Sequence, residues 1–282
     1  MILLKKEADF SKWLQKQRAT GQKIGFAPTM GALHAGHISL IAASEKDNPL
    51  TVSSIFVNPT QFNDPKDFDK YPITIEKDIP MLEAAGCDLL FLPSVKEIYP
   101  HGTPANKHYD LGYIETVLDG KFRPGHFQGV CMVVERLLEI VRPDRLYLGQ
   151  KDYQQCMVIT RLINLMGWKN KIEIVICPTL REENGLAMSS RNMRLSEEEK
   201  EKAAAIYKTL TVIKDKFRKT ETTSIKQEAQ SILEQAELKP DYIEIVNAHD
   251  LSPLTANSNE PAVALIAAFM NEVRLIDNML LQ

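Results

Sequence analysis

Cysteine is scarce in this chain, with four among 282 residues. Cys87, Cys131, Cys156 and Cys177 lie far apart in largely apolar surroundings with no Cys-x-x-Cys pair. That argues against a disulfide framework and for reduced core thiols in a reducing compartment. An excess of charge of either sign is also lacking: 34 Lys and Arg against 37 Asp and Glu leave a net charge of -3. No global field then favours nucleic acid or an anionic membrane, and any anion site must be local. No apolar run is long enough to span a bilayer, and Met1 to Trp13 mixes Lys5, Lys6, Glu7 and Asp9 into its short apolar pattern, without a signal-peptide core. Internal repeats, low-complexity tracts and heptads are missing as well. The expectation is a soluble cytoplasmic protein whose partners are small molecules. What is present is an ordinary globular composition, 44% apolar and 25% charged, in a chain long enough for two domains.

Through residue 177 strand-like and helix-like segments alternate, an α/β signature. The candidate strands are 24–27, 51–57, 89–92, 145–148 and 171–177, with candidate helices over 36–46, 74–85, 127–141 and 153–166. Short continuous apolar strands with helical crossovers predict a parallel sheet covered on both faces, with ligands at the carboxyl ends of its strands. The stretch 51–56 is left open between an interface strand and an internal one. Beyond Arg194 the texture changes. Ser196 followed by Glu197, Glu198 and Glu199 starts a helix that continues to about Arg218, and a second runs from about 224 to 237. Three strands follow, 242–248, 262–269 and 273–280, the last two joined at Asn271-Glu272 as a tight hairpin. The boundary is placed at 177/178, before a smaller α+β domain of residues 178–282.

Chemistry concentrates after four of these strands. After the first, Pro28 stops an apolar run and Gly36 opens a helix, so His34 and His37 flank a helix N-terminus. Unpaired backbone N–H groups and the helix dipole favour an anion there, Gly31 and Gly36 permit close backbone approach, and the two imidazoles can donate to phosphate oxygens. A His-x-x-His pair can also be half of a metal site, but no third ligand of suitable spacing is evident. After the second strand, Asn58 and Gln61 carry neutral amides that suit a small polar acid, or serve local turn bonds. The stretch 63–71, with Asp64, Asp67 and Asp69, reads as a mobile flap or an exposed loop. After the fourth strand, Gly149, Lys151 and Asp152 again mark a strand-to-helix passage. Lys151 offers charge for phosphate; Asp152 caps the helix or meets a ribose hydroxyl or metal-bound water. After the fifth, Met188, Ser189, Ser190 and Arg191 suit a hinge or lid over a triphosphate. Lys121, Arg123 and His126, in a glycine-bracketed basic turn, are secondary candidates.

Five segments, PTMGALHAGH (28–37), FVNPTQF (56–62), GKFRPGHFQGV (120–130), LGQKDYQQ (148–155) and GLAMSSRN (185–192), together resemble the pantoate-β-alanine ligase family, in its order and spacing and over nearly the whole chain. The His-x-Gly-His part alone would mark only the wider nucleotidyltransferase superfamily, which includes class I aminoacyl-tRNA synthetases. The resemblance implies a Rossmann-like N-terminal domain, a smaller C-terminal lid domain, and a homodimer dependent on magnesium and ATP. It implies two steps: pantoate attacks the α-phosphorus of ATP, giving pantoyl adenylate and pyrophosphate, and β-alanine then displaces AMP. Met30 to His37, including Gly31, His34 and Gly36, would hold ATP, with His34 and His37 stabilising the transition state and His37 the usual proton donor. Gly149 to Asp152, including Lys151, and Met188, Ser189, Ser190 and Arg191 would also bind ATP, and the backbone near Leu180 would contact adenine. Gln61 and Gln155 would bind pantoate, and Gln61 would help place β-alanine. Magnesium would ride on the ATP phosphates without a side-chain cage. Two rivals stand beside this: a nucleotidylyltransferase acting on a phosphate acceptor, and an ATP-sensing module without turnover.

Overall fold

Nine strands and eleven helices carry the described residues of the computed structural model, which are 1–62, 65–102, 107–254 and 259–281. The strands are β1 (Ile2–Leu4), β2 (Ile24–Thr29), β3 (Leu50–Ile55), β4 (Leu89–Phe91), β5 (Arg145–Gly149), β6 (Glu173–Cys177), β7 (Lys239–Asn247), β8 (Ala262–Met270) and β9 (Val273–Leu281). The helices are α1 (Glu7–Ala19), α2 (Ala35–Asp47), α3 (Pro65–Asp69), α4 (Ile75–Ala84), α5 (Val95–Ile98), α6 (Leu118–Phe122), α7 (His126–Val141), α8 (Tyr153–Leu165), α9 (Glu197–Ala203), α10 (Ala205–Lys216) and α11 (Thr222–Gln235).

The first six strands form one parallel sheet in the order β1-β4-β3-β2-β5-β6. Leaving out the short edge strand β1, the order reverses beside β2, whose neighbours are β3 on one side and β5 on the other. That is the Rossmann-like arrangement, and the crevice beyond the carboxyl ends of β2 and β5 is its switch point. The central strands are apolar on both faces because helices cover both. Phe10, Ile24, Phe26, Leu89, Phe91, Leu138 and Leu146 belong to one core cluster, and Ala27, Ile41, Leu82, Leu90 and Tyr147 to another. Helix α2 lies so close to β2 that a Cβ on Gly25 would overlap the Ser44 hydroxyl. That contact seats the helix whose N-terminus faces the crevice.

The last three strands pair antiparallel as β7-β8-β9, turning tightly at Asn271 and Glu272 between Met270 and Val273. On one side, residues of α10 and α11 such as Ile206, Leu210, Ile225 and Leu233 pack with Ala264, Ile266 and Leu275. On the other, Tyr242, Val246 and Leu265 pack with Leu118, Tyr153 and Met157. Two local expectations differ. The helix expected to run unbroken to Arg218 divides into α9 and α10 at Ala204, where no Gly or Pro signals a break. The N-terminal pattern becomes β1 and α1; a three-residue strand owes its existence to its pairing with β4, far away in sequence.

Candidate active site

The loop after β2 is held from two sides. Gly31 and Ala32 adopt positive φ, +81° and +49°, a conformation that costs energy at a non-glycine residue and persists only where neighbours enforce it. Asp78 of α4, almost wholly buried, enforces it: Oδ2 accepts the Ala32 N–H at 3.0 Å and Oδ1 the Leu33 N–H at 2.9 Å, while the Thr74 hydroxyl donates to Oδ1 at 3.0 Å. From the other side the Ser190 hydroxyl donates to the Ala32 carbonyl at 3.0 Å.

The two histidines then lock each other. His34 is the N-cap of α2 and its Nδ1 accepts the Gly36 N–H at 3.1 Å; the His37 Nδ1 accepts the His34 N–H at 3.4 Å. The ring centroids lie 4.0 Å apart. A backbone N–H can only donate, so both Nδ1 atoms present lone pairs, and these bonds assign each neutral ring its proton at Nε2. Burial lowers the His34 pKa from 6.5 to about 4, assisted by Lys151 and opposed by Asp152. Burial, then His34 and Lys151, hold His37 well below the ordinary imidazole range. At neutral pH the ligand-free site therefore offers two uncharged Nε2–H donors at a helix N-terminus.

Beyond β5 the 3-10 turn Gln150–Asp152 leads into α8. Lys151 Nζ stands 3.7 Å from Asp152 Oδ1. Asp152 occupies the N-cap position of α8 but makes no capping bond, so its carboxylate is not spent on its own helix. At Gly149 φ is -83°, open to any residue, and an added Cβ would meet nothing within 4 Å. The space above that backbone is left for something other than protein.

The second loop separates its two amides. Asn58 is buried: its Oδ1 accepts from Tyr99 and Thr60, and its Nδ2 donates to the Gly129 carbonyl at 3.1 Å and to Gln61 Oε1 at 3.2 Å. It serves the turn and orients Gln61, whose Nε2 points to Met30 Sδ at 3.0 Å. His126 supports the same loop. Its Nδ1 donates to the Gln61 carbonyl at 2.7 Å and its Nε2 accepts from Arg123 at 3.0 Å, while burial and the Arg123 charge lower its pKa to about 4. Lys121, by contrast, is exposed and lies outside the cavities described below.

In the fourth segment Ser189 and Ser190 are structural donors and acceptors as much as ligand groups. Ser189 caps the turn 190–194 by accepting the Arg191 N–H at 3.3 Å. Leu180 accepts the Met188 N–H at 3.0 Å, so the two candidate stretches flank one narrow hairpin, beside which the buried Thr179 hydroxyl has no hydrogen-bond partner among the described residues. Arg191 pairs with Asp67 of α3 at 2.8 Å, and Arg194 reaches the same carboxylate at 3.0 Å. Despite its burial, these partners keep the Asp67 carboxyl below its ordinary value. Asn63 and Asp64 of the expected flap lie outside the described residues.

All four segments line a single cavity of about 220 Å³. Met30, His34, Gly36 and His37 meet Gln61, Gly149, Lys151, Asp152 and Gln155 there, together with Leu180, Met188, Ser189, Ser190 and Arg191. Of the expected residues, Gly31 stands back from this cavity and shapes the loop through its φ, Asn58 and Lys121 line neither cavity, and Arg123 and His126 do not line this one. A second cavity of about 530 Å³, toward β9, shares Lys151, Asp152, Gln155, Ser189 and Arg191 with it. Asp78 and Asn278, engaged on these segments, carry no signal in the sequence, and Asp67, legible there only as part of a polar flap or loop, gives no sign of its pairing with Arg191; each sits far from the segment it serves.

A profile of the family described as Pantoate-beta-alanine ligase matches residues 2–280. The chain belongs to this family. It is 46% identical over 272 residues to the pantothenate synthetase of Cytophaga hutchinsonii, covering 95% of each chain. It is 45% identical over 277 residues to that of Bacteroides thetaiotaomicron, covering 96% of this chain and 95% of that one. Among solved structures, pantothenate synthetase from Thermus thermophilus aligns with a TM-score of 0.91 at 38% identity, covering 99% of both chains. Pantoate-β-alanine ligase from Francisella tularensis, complexed with β-γ ATP and β-alanine, aligns with a TM-score of 0.82 at 38% identity over 99% of this chain and 97% of that one. Family membership settles the class of activity as ATP-dependent formation of pantothenate, and with it the choice against a nucleotidylyltransferase or a sensor without turnover.

Proposed function

We propose that this pantoate-β-alanine ligase works in two steps at the 220 Å³ cavity, the observation that carries the reading being its gathering of imidazole, ammonium, guanidinium and amide groups from four separate segments. In the first step a pantoate carboxylate oxygen bonds to the α-phosphorus of ATP while the bond to the bridging oxygen breaks, and pyrophosphate leaves. In the second the β-alanine amine bonds to the acyl carbon, AMP leaves with the carboxyl oxygen it had been joined to, and the amine proton is lost to solvent. No protein nucleophile is required; positioning and charge neutralisation carry the rate.

His34 and His37 donate Nε2–H hydrogen bonds to phosphate oxygens, and Lys151 and Arg191 neutralise charge there. Met30, Gly31, Gly36, Gly149 and Asp152 complete the ATP site with Met188, Ser189, Ser190 and the backbone near Leu180. Gln61 and Gln155 bind pantoate, and Gln61 also helps place β-alanine. The neutral tautomers support hydrogen-bond donation by His37 in the free protein; a bound polyphosphate raises its pKa, so proton donation belongs to the complex if to either state.

The donor set fits magnesium carried in on the phosphates. Asp152, whose carboxylate makes no capping bond, would hold a metal-bound water. When bound, that ion neutralises phosphate charge. The reading extends to residues 178–282 as a lid over the domain formed by 1–177, to a homodimer, and to the cytoplasm. The last is supported by four buried free thiols.

The test is exchange of labelled pyrophosphate into ATP with magnesium and pantoate present and β-alanine absent. Pantoate-dependent exchange is expected; active protein showing none would overturn the adenylate step.

A further inference from the structure

The 3-10 turn that presents Lys151 has few ties of its own, and its anchor comes from the last strand of the chain. Asn278 of β9, 2% exposed, donates from its single Nδ2 to two successive carbonyls, those of Gln150 and Lys151, each at 2.9 Å. The Gln150 side chain returns a bond from Nε2 to Asn278 Oδ1 at 3.3 Å, fixing which way the amide faces. The Asn278 backbone is held in turn. It sits in the β8–β9 ladder opposite Leu265, and its N–H donates to Asp277 Oδ1 at 2.8 Å. Asp277 is gripped by both terminal nitrogens of Arg181, at 2.5 and 3.1 Å.

We propose that Asn278 is a positioning residue for the first chemical step, acting through Lys151 by clamping the two carbonyls that set the direction of the 150–152 turn. This rests on the reading of Lys151 as a phosphate-binding group. One amide nitrogen has two hydrogens, and two carbonyls one residue apart can both reach it only when the peptide planes joining 150, 151 and 152 take one relative orientation. That orientation sets where the Lys151 side chain leaves the backbone. The C-terminal sheet is therefore not only a cover: its final strand is wired to the cation beneath it, so any displacement of the sheet moves that charge. Asp at this position would set carboxylate oxygens against two carbonyl oxygens, reversing the interaction at nearly constant volume.

The experiment compares pantoate-dependent pyrophosphate exchange in wild type, Asn278→Asp, Lys151→Ala and the double variant. A charge misplaced by an ångström loses its transition-state contact, so Asn278→Asp is expected to lower kcat for exchange about tenfold or more. In the Lys151→Ala background the same change is expected to alter the residual rate by less than about twofold, because the group it positions is gone. Equal losses in both backgrounds would assign Asn278 a general structural role and overturn the proposal, as would full exchange in Asn278→Asp. Should Asn278→Asp fail to melt cooperatively, Gln150→Ala is read in the same two backgrounds. It removes only the bond that orients the amide, and a kcat loss that persists without Lys151 overturns the proposal equally. Wild-type protein without pantoate-dependent exchange would instead defeat the two-step reading itself, so the two failures are distinct.

Discussion

The two turns that face each other across the switch point are built in opposite ways. After β2 the histidine pair is locked locally, on a loop that Asp78 and Ser190 brace: His34 caps its own helix, His37 bonds back to the His34 N–H, and the ring atoms involved lie within four residues. After β5 it is remote. Asp152 does not cap, a Cβ on Gly149 would meet nothing, and the carbonyls of Lys151 and Gln150 are held by Asn278, 127 and 128 positions away. A locally built site is stiff wherever its helix is stiff. A remotely built one is only as well placed as the packing between two sheets, so it follows any shift between them.

The largest effects should come from the groups proposed to meet the phosphates. Lys151→Ala and His34→Ala are each expected to lower pantoate-dependent exchange by about 100- to 1000-fold, the scale for removing one preorganised donor to developing negative charge. Steady-state exchange rates check this, and losses under tenfold would remove these groups from the step. Next comes the anchor of the His loop. Asp78→Ala leaves two buried N–H groups without an acceptor, each costing about 1–3 kcal/mol. Urea unfolding is expected to show that loss together with reduced exchange; unchanged stability would mean that the positive-φ loop needs no anchor. Smaller still is Asp67→Asn. Arg191 and Arg194 both lean on this carboxylate, which on the proposed function would compete with phosphate for Arg191. The expected result is a severalfold lower KM for ATP with kcat little changed, and a higher KM would contradict it.

Acid should destabilise the protein by way of its imidazoles. In the folded state His34 and His126 protonate only near pH 4, and His37 also resists, whereas the unfolded chain takes up protons around the ordinary value of 6.5. Between those values the unfolded state binds more protons, so stability is full above about 6.5 and falls as the pH drops toward 4. Thermal melts across this window check the sign. His126→Gln should flatten part of the slope, since an amide keeps a donor for the Gln61 carbonyl without titrating.

The same contrast explains how far the sequence could be read. The parallel sheet, its ligand edge and the histidine loop are legible because each rests on neighbouring residues: apolar runs of strand length, a proline stop, a glycine helix start. Helix α2, expected over 36–46, spans Ala35–Asp47. Strand β1 is different, since its pairing with β4 joins Ile2 to Leu89. Asp78, Asp67 and Asn278 share that character. An aspartate within a helix or an asparagine within a strand carries no mark that its partner is a loop of another element. For Asn58 the residue type was legible and its use was not: both a turn and a ligand want the same amide, and only burial beside Tyr99 and Gly129 decides.

On the proposed function, chemistry at this site starts from two neutral imidazoles donating through Nε2. Long-range proton–nitrogen NMR of the histidine rings between pH 8 and pH 5, without ligands, tests it most directly. His34 and His37 are expected to keep an unprotonated Nδ1 and a protonated Nε2 throughout that range. A ring that carries its proton on Nδ1, or that becomes an imidazolium between pH 6 and pH 7, would contradict it.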